Sequence, residues 1–132
     1  MDVEDCILAA RTLAFEHKLI DSKRMVIRGG SAGGYAVLAA LSTTASDNKV
    51  FAAATSSYGI SDLKKLAEFT HKFESRYLDH LIGGNILEIP DVYKERSPVN
   101  HADRIVTPLL VSCLPFDFEF ACEYSNRYFK AR

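Results

Sequence analysis

Cysteine is scarce in this 132-residue chain: Cys6, Cys113 and Cys122 are odd in number and carry no C-x-x-C spacing. Neither a disulfide framework nor a zinc site is therefore indicated, and reduced thiols in a cytoplasmic protein are the simplest reading. Long apolar runs are missing as well. Nothing approaches the ~20 residues of a membrane-spanning helix, and the acidic start Met1-Asp2-Val3-Glu4-Asp5 lacks a leader's charged-then-apolar order. Neither sign of charge dominates, with 16 Lys and Arg against 17 Asp and Glu. A basic footprint for nucleic acid or an anionic membrane is therefore lacking. Repeats and low-complexity stretches are absent too. What remains is ordinary for one globular domain, with 48% hydrophobic and 25% charged residues.

Val3, Cys6, Ile7, Ala10, Leu13, Ala14 and His17 recur at helical spacing, with Asp2 as a cap and Lys18 near the far end. Asp21-Ser22 supplies a turn. Met25-Val26-Ile27 is short, apolar and partly β-branched, which predicts a buried strand ending at Gly29-Gly30. From Gly33 onward Tyr35, Val37, Leu38 and Leu41 stand among alanines, so a closely packed helix buried nearly all round is expected, ending near Ser42-Thr43-Thr44. Phe51 to Ser56 reads as a second strand and Tyr58-Gly59 as the turn leaving it. Ser61 to Leu81 reads as one or two helices capped by Ser61 or Asp62 and broken at Gly83-Gly84-Asn85. Asp91 to Glu95 reads as a helical turn, and Leu109 to Cys113 as a third strand. This order of elements implies a parallel sheet with helices on its faces. Three strands make a narrow sheet for that architecture.

Gly29-Gly30-Ser31-Ala32-Gly33 is a G-x-S-x-G pentapeptide followed by Gly34 and Tyr35. In a nucleophile elbow the serine sits at a strained strand-to-helix apex, and its neighbours must be small because the backbone doubles back on itself. The helix that follows aims free amides at the site, so the Ala32 amide would be one oxyanion donor. The bare pattern arises by chance in roughly one chain in twenty to thirty of this length. Its setting, an apolar strand before and an alanine-rich helix after, is what the motif demands. The plainer alternative is a glycine-rich turn cradling a phosphate, yet the stretch matches neither the P-loop nor the dinucleotide fingerprint.

Arg28-Gly29-Gly30-Ser31-Ala32-Gly33-Gly34-Tyr35 resembles the nucleophile region of the prolyl oligopeptidase family, in its acylaminoacyl-peptidase and dipeptidyl-peptidase branch. Asp2 to Cys6, Ser57-Tyr58-Gly59 through Leu63, His71 to Leu78, Glu95 to His101 and Pro108 to Leu110 are similar to that branch in register. The resemblance implies an α/β-hydrolase fold and peptide hydrolysis through an acyl-enzyme, with histidine activating the serine and aspartate orienting the histidine. It implies no metal or organic cofactor. It also places Tyr35 and Tyr58 at the border of a substrate pocket.

The pattern departs from the family towards the C-terminal end. Relatives carry the aspartate just past the third strand, where this chain has Phe116; Asp117 comes one residue late and Glu119 three late. Asp117 is thus only a weak candidate. The triad order in this fold is Ser, Asp, His, and no histidine follows Ser112. His17 belongs to the first helical stripe, His71 and His80 read as surface or structural, and the family counterpart of His101 is not the base. The second oxyanion donor, which the family takes from an upstream tyrosine, has no counterpart either. The expectation is a partial α/β-hydrolase catalytic domain over residues 1–114, with a divergent tail over 115–132.

Three functions follow. The first is a serine peptidase fragment whose complete protein hydrolyses peptide bonds at Ser31, the isolated chain being inert. The second is a truncated product acting only by protein interaction. The third is a serine esterase. The segments 71–78 and 95–101 favour the peptidase. Uncovered sheet edges also predict poor solubility or self-association of the chain alone.

Overall fold

The computed structural model describes residues 2–43, 50–69 and 75–112. Helix α1 (Asp2–Arg11) runs into a π-helical turn (Thr12–Glu16), and a short 3₁₀ turn (Ser22–Arg24) leads to β1 (Val26–Gly30). Then come α2 (Ala32–Thr43), β2 (Ala53–Ser57), α3 (Leu63–Phe69), α4 (Ser75–Ile82), α5 (Pro90–Arg96), a 3₁₀ segment (Pro98–Arg104) and β3 (Leu109–Ser112). The three strands form one parallel sheet in the order β1-β2-β3. Each crossover carries helices, as parallel neighbours require. Among the described residues no helix is long and apolar enough to cross a membrane.

Helix α2 is the centre of the packing. Val37, Leu38, Ala39, Ala40, Leu41 and Ser42 are all buried, so the helix is covered on nearly every side, as its alanine content predicts. Val37, Leu38 and Leu41 pack with Met25, Phe51 and Ile105 in the main core. Each such side chain contributes about 1.5–3 kcal/mol through its removal from water. A second core under α3, α4 and α5 gathers Leu63, Leu78, Ile82 and Tyr93.

The strand before the motif, predicted buried from its apolar triplet, is buried on one face only. Met25 is buried and Ile27 packs against the main core. Val26 is 65% exposed, because side chains alternate along a strand and Val26 lies on the sheet face opposite the one α2 covers. The first helix departs in a similar way. Its π-helical turn adds a residue to the spacing and shifts the face: of the expected stripe Ala14 is buried, while Leu13 and His17 are exposed. The 3₁₀ segment Pro98–Arg104, which packs beside α2, has no sequence signal beyond Ser97-Pro98.

Two polar side chains hold the helical layer. Asp62 caps α3 by accepting from the amides of Lys64 (2.9 Å) and Lys65 (3.1 Å). The amide of Leu63 donates instead to Ser97 Oγ at 2.9 Å, and the same hydroxyl donates to the Tyr93 carbonyl at 2.6 Å. Ser97 is fully buried. Ser97→Ala strands the Leu63 amide away from water and is expected to cost about 1–3 kcal/mol, read from urea unfolding.

Tyr93 donates from its hydroxyl towards the Gly84 carbonyl (3.1 Å) and Asp79 Oδ1 (3.3 Å). Burial, reinforced by the charge of Asp79 and the hydrogen bond to it, raises the phenol above its ordinary value of 10. Burial likewise raises Tyr35, partly opposed by Arg96. The unfolded chain releases these protons near pH 10 while the folded chain retains them. Their contribution is therefore complete below pH 10 and is lost as pH rises from there through the folded values. Urea midpoints should fall above pH 10, and the fall should be shallower in Tyr93→Phe.

Candidate active site at the strand–helix corner

β1 and β2 are paired in register from Val26↔Ala53 to Gly30↔Ser57, so the two strands end level. The residue after each takes a left-handed backbone: Ser31 has φ 54° and Tyr58 φ 43°. Neither is glycine, and such conformations cost about 1–3 kcal/mol each. The Ser31 amide still donates to the Ser57 carbonyl at 3.0 Å, extending the ladder by one bond. Its carbonyl accepts from the Tyr35 amide at 3.0 Å and opens α2. Strand thus becomes helix within a single residue. That residue is the serine of the motif.

The glycines have unequal tasks. A Cβ on Gly29 would stand 2.3 Å from the Gly33 carbonyl oxygen, backbone against backbone. A Cβ on Gly34 would stand 2.6 Å from Gly59 Cα. At Gly30 the obstacle is only the Tyr58 side chain, 2.8 Å away at its hydroxyl. Gly33 has nothing within 4 Å of the corresponding position. The chain therefore doubles back most tightly behind the serine, at Gly29 and Gly34.

Ser31, Ala32 and Gly33 are exposed. The Ala32 amide lies in the first turn of α2, where amides have no intrahelical acceptor and the helix dipole favours negative charge. No hydrogen bond to the Ser31 hydroxyl is formed among the described residues. His17 and His80 are exposed, and His101 Nε2 lies 2.9 Å from the Glu95 carbonyl. His71, Phe116, Asp117 and Glu119 lie outside the described residues, as does the stretch 115–132.

The two tyrosines expected at a substrate pocket part company. Tyr58 stands beside the elbow, 44% exposed, with its hydroxyl over Gly30. Tyr35 packs into the second core and donates to the Arg96 carbonyl at 3.0 Å. Two residues that sequence reasoning missed also shape the corner. Ser56, fully buried, donates to the Gly34 carbonyl at 3.1 Å, and buried Gly59 lies against Gly34. An apolar groove lined by Ala10, Leu13, Ile20, Met25, Val26 and Phe51 opens at the opposite, amino-terminal end of the strands. Among the described residues no three His, Cys, Asp or Glu side chains gather as a metal site.

The family model of the prolyl oligopeptidase family matches residues 1–131. The chain belongs to that family. Solved structures agree. Puromycin hydrolase is 39% identical, with a TM-score of 0.77, over 98% of this chain and 19% of its own. A Mycobacterium tuberculosis puromycin-hydrolyzing peptidase is 51% identical, with a TM-score of 0.75, over 83% of this chain and 16% of its own. The Pyrococcus horikoshii acylaminoacyl peptidase, at 21% identity and a TM-score of 0.78 over 98% of this chain and 21% of its own, shares the fold. The described sheet is accordingly part of an α/β-hydrolase sheet, and members of the prolyl oligopeptidase family are serine-type peptidases. The chain spans under a fifth of the length of the two puromycin-hydrolysing relatives.

Proposed function

We propose that Ser31 is the nucleophile of a serine peptidase, attacking a peptide carbonyl to form an acyl-enzyme while the Ala32 amide receives the developing oxyanion. The observation that carries this reading is the left-handed backbone of an exposed serine between a parallel strand and a buried helix. Strain of that kind is retained where the surroundings impose it, here through the Gly29–Gly33 and Gly34–Gly59 approaches. Tyr58 borders the substrate side of the corner. The names of the two most similar solved relatives reported above favour an amide-cleaving enzyme over an esterase.

Activation of Ser31 needs a histidine base, and among the described residues His17, His80 and His101 make no hydrogen bond to it. The 132-residue protein alone is expected to react with a fluorophosphonate far below stoichiometry. Stoichiometric labelling of Ser31 would overturn that part. The peptidase reading is tested by grafting this chain's residues into the matched stretch of the Mycobacterium tuberculosis relative. The graft should cleave puromycin and aminoacyl arylamides, and Ser31→Ala should abolish cleavage. A folded graft that cleaves only esters would contradict it.

The exposed Leu13, Phe15, Leu19, Ile20 and Val26 favour a second reading for the chain by itself, in which it associates through this apolar strip and the edge of β1. Size exclusion with light scattering should show oligomers. A single monomeric peak with a cooperative melt would contradict it.

A further inference from the structure

Ser56 presents a hydroxyl with no exposure on the strand beside the elbow, and it spends that hydroxyl on the Gly34 carbonyl at 3.1 Å. Gly34 lies in the first turn of α2, three residues past Ser31. A helix carbonyl there already has an acceptor role towards the amide four residues on, so the Ser56 bond is additional to the helix's own. Around it the backbones close in. A Cβ on Gly59 would meet Ser56 Oγ at 2.3 Å and the Gly34 carbonyl carbon at 2.7 Å. Ser56, Gly34 and Gly59 therefore fix how far the start of α2 stands from β2. The direction of the Ala32 amide follows from that spacing, because Ser31 is itself pinned to β2 through the Ser57 carbonyl.

We propose that Ser56, seated against Gly59, is a positioning residue for the reaction at Ser31: it holds the first turn of α2 against β2 and so keeps the Ala32 amide aimed at the oxyanion. The proposal rests on the nucleophile reading of Ser31. Ser56 is fully buried and meets no substrate; its effect passes through the Gly34 carbonyl. Misplacement of a catalytic group by about 1 Å can cost about 100-fold in rate. Loss of one tether, with the remaining packing intact, should allow a fraction of that movement.

In the 132-residue chain, Ser56→Ala should raise hydrogen exchange about 10-fold at the Tyr35 and Leu38 amides, with β2 amides unchanged. In the Mycobacterium tuberculosis graft the same variant should lower kcat about 10-fold with KM within about twofold and the pH profile keeping its shape. Gly59→Ala should lower kcat further. Parental exchange in the first turn of α2, or parental kcat in either variant, would overturn the role of Ser56 and leave Ser31 untouched. A parent graft that folds but is not labelled at Ser31 would overturn the nucleophile reading, and the role of Ser56 with it.

Discussion

Gly29→Ala should unfold the corner, whereas Gly33→Ala, four residues away in the same motif, should leave it intact. A methyl on Gly29 would lie 2.3 Å from the carbonyl oxygen and 2.4 Å from the carbonyl carbon of Gly33. Both contacts are backbone, so no side chain can swing aside. Overpacking ordinarily costs about 1–3 kcal/mol where side chains can adjust; with none to adjust, a loss of about 3 kcal/mol or more is expected. Gly33 points into open space and lies within α2, so alanine there should gain up to about 1 kcal/mol from helix propensity. Urea midpoints of the two variants should therefore move in opposite directions. Equal behaviour would mean that the close approach behind the serine does not exist in solution.

Ser31→Gly should separate stability from reactivity. With φ at 54°, serine occupies a region that costs an L-residue about 1–2 kcal/mol and costs glycine almost nothing. Glycine loses more chain entropy on folding and is slightly poorer at a helix N-terminus. The net expectation is a gain of about 0.5–1 kcal/mol in urea unfolding, together with complete loss of acylation in the graft. Ser31→Ala, which keeps the Cβ, should lose acylation equally but gain no stability. A left-handed serine that is stabilised by glycine and inactivated by either change is strained for its chemistry.

The elbow was legible because its signals are local. A glycine-flanked serine, an apolar strand before it and an alanine-rich helix after it all lie within twenty residues, and backbone sterics link them directly. A cap at Ser61 or Asp62 was legible for the same reason, and the structure selects Asp62. What holds the corner in place was not. Ser56 meets Gly34 across 22 residues, Ser97 meets Leu63 across 34, and Tyr35 meets Arg96 across 61. A serine inside a strand gives no pattern that tells a buried tether from a solvent-facing position. The resemblance puts Tyr35 beside a substrate pocket, and only the folded helix shows its hydroxyl on the Arg96 carbonyl at the end of α5. An apolar triplet such as Met25-Val26-Ile27 cannot reveal that one face of the strand has no helix over it, which leaves Val26 exposed. Nothing in Thr12–Glu16 announces a π-helical turn, and that one added residue moved Leu13 out of the core.

Mass-spectrometric mapping of a fluorophosphonate adduct tests the central claim most directly. In the folded graft that carries this chain's residues, one adduct per molecule is expected, on the peptide containing Ser31, and absent in Ser31→Ala. An adduct on any other serine, or a folded and active graft that is unlabelled at Ser31, would contradict the assignment of Ser31 as the nucleophile.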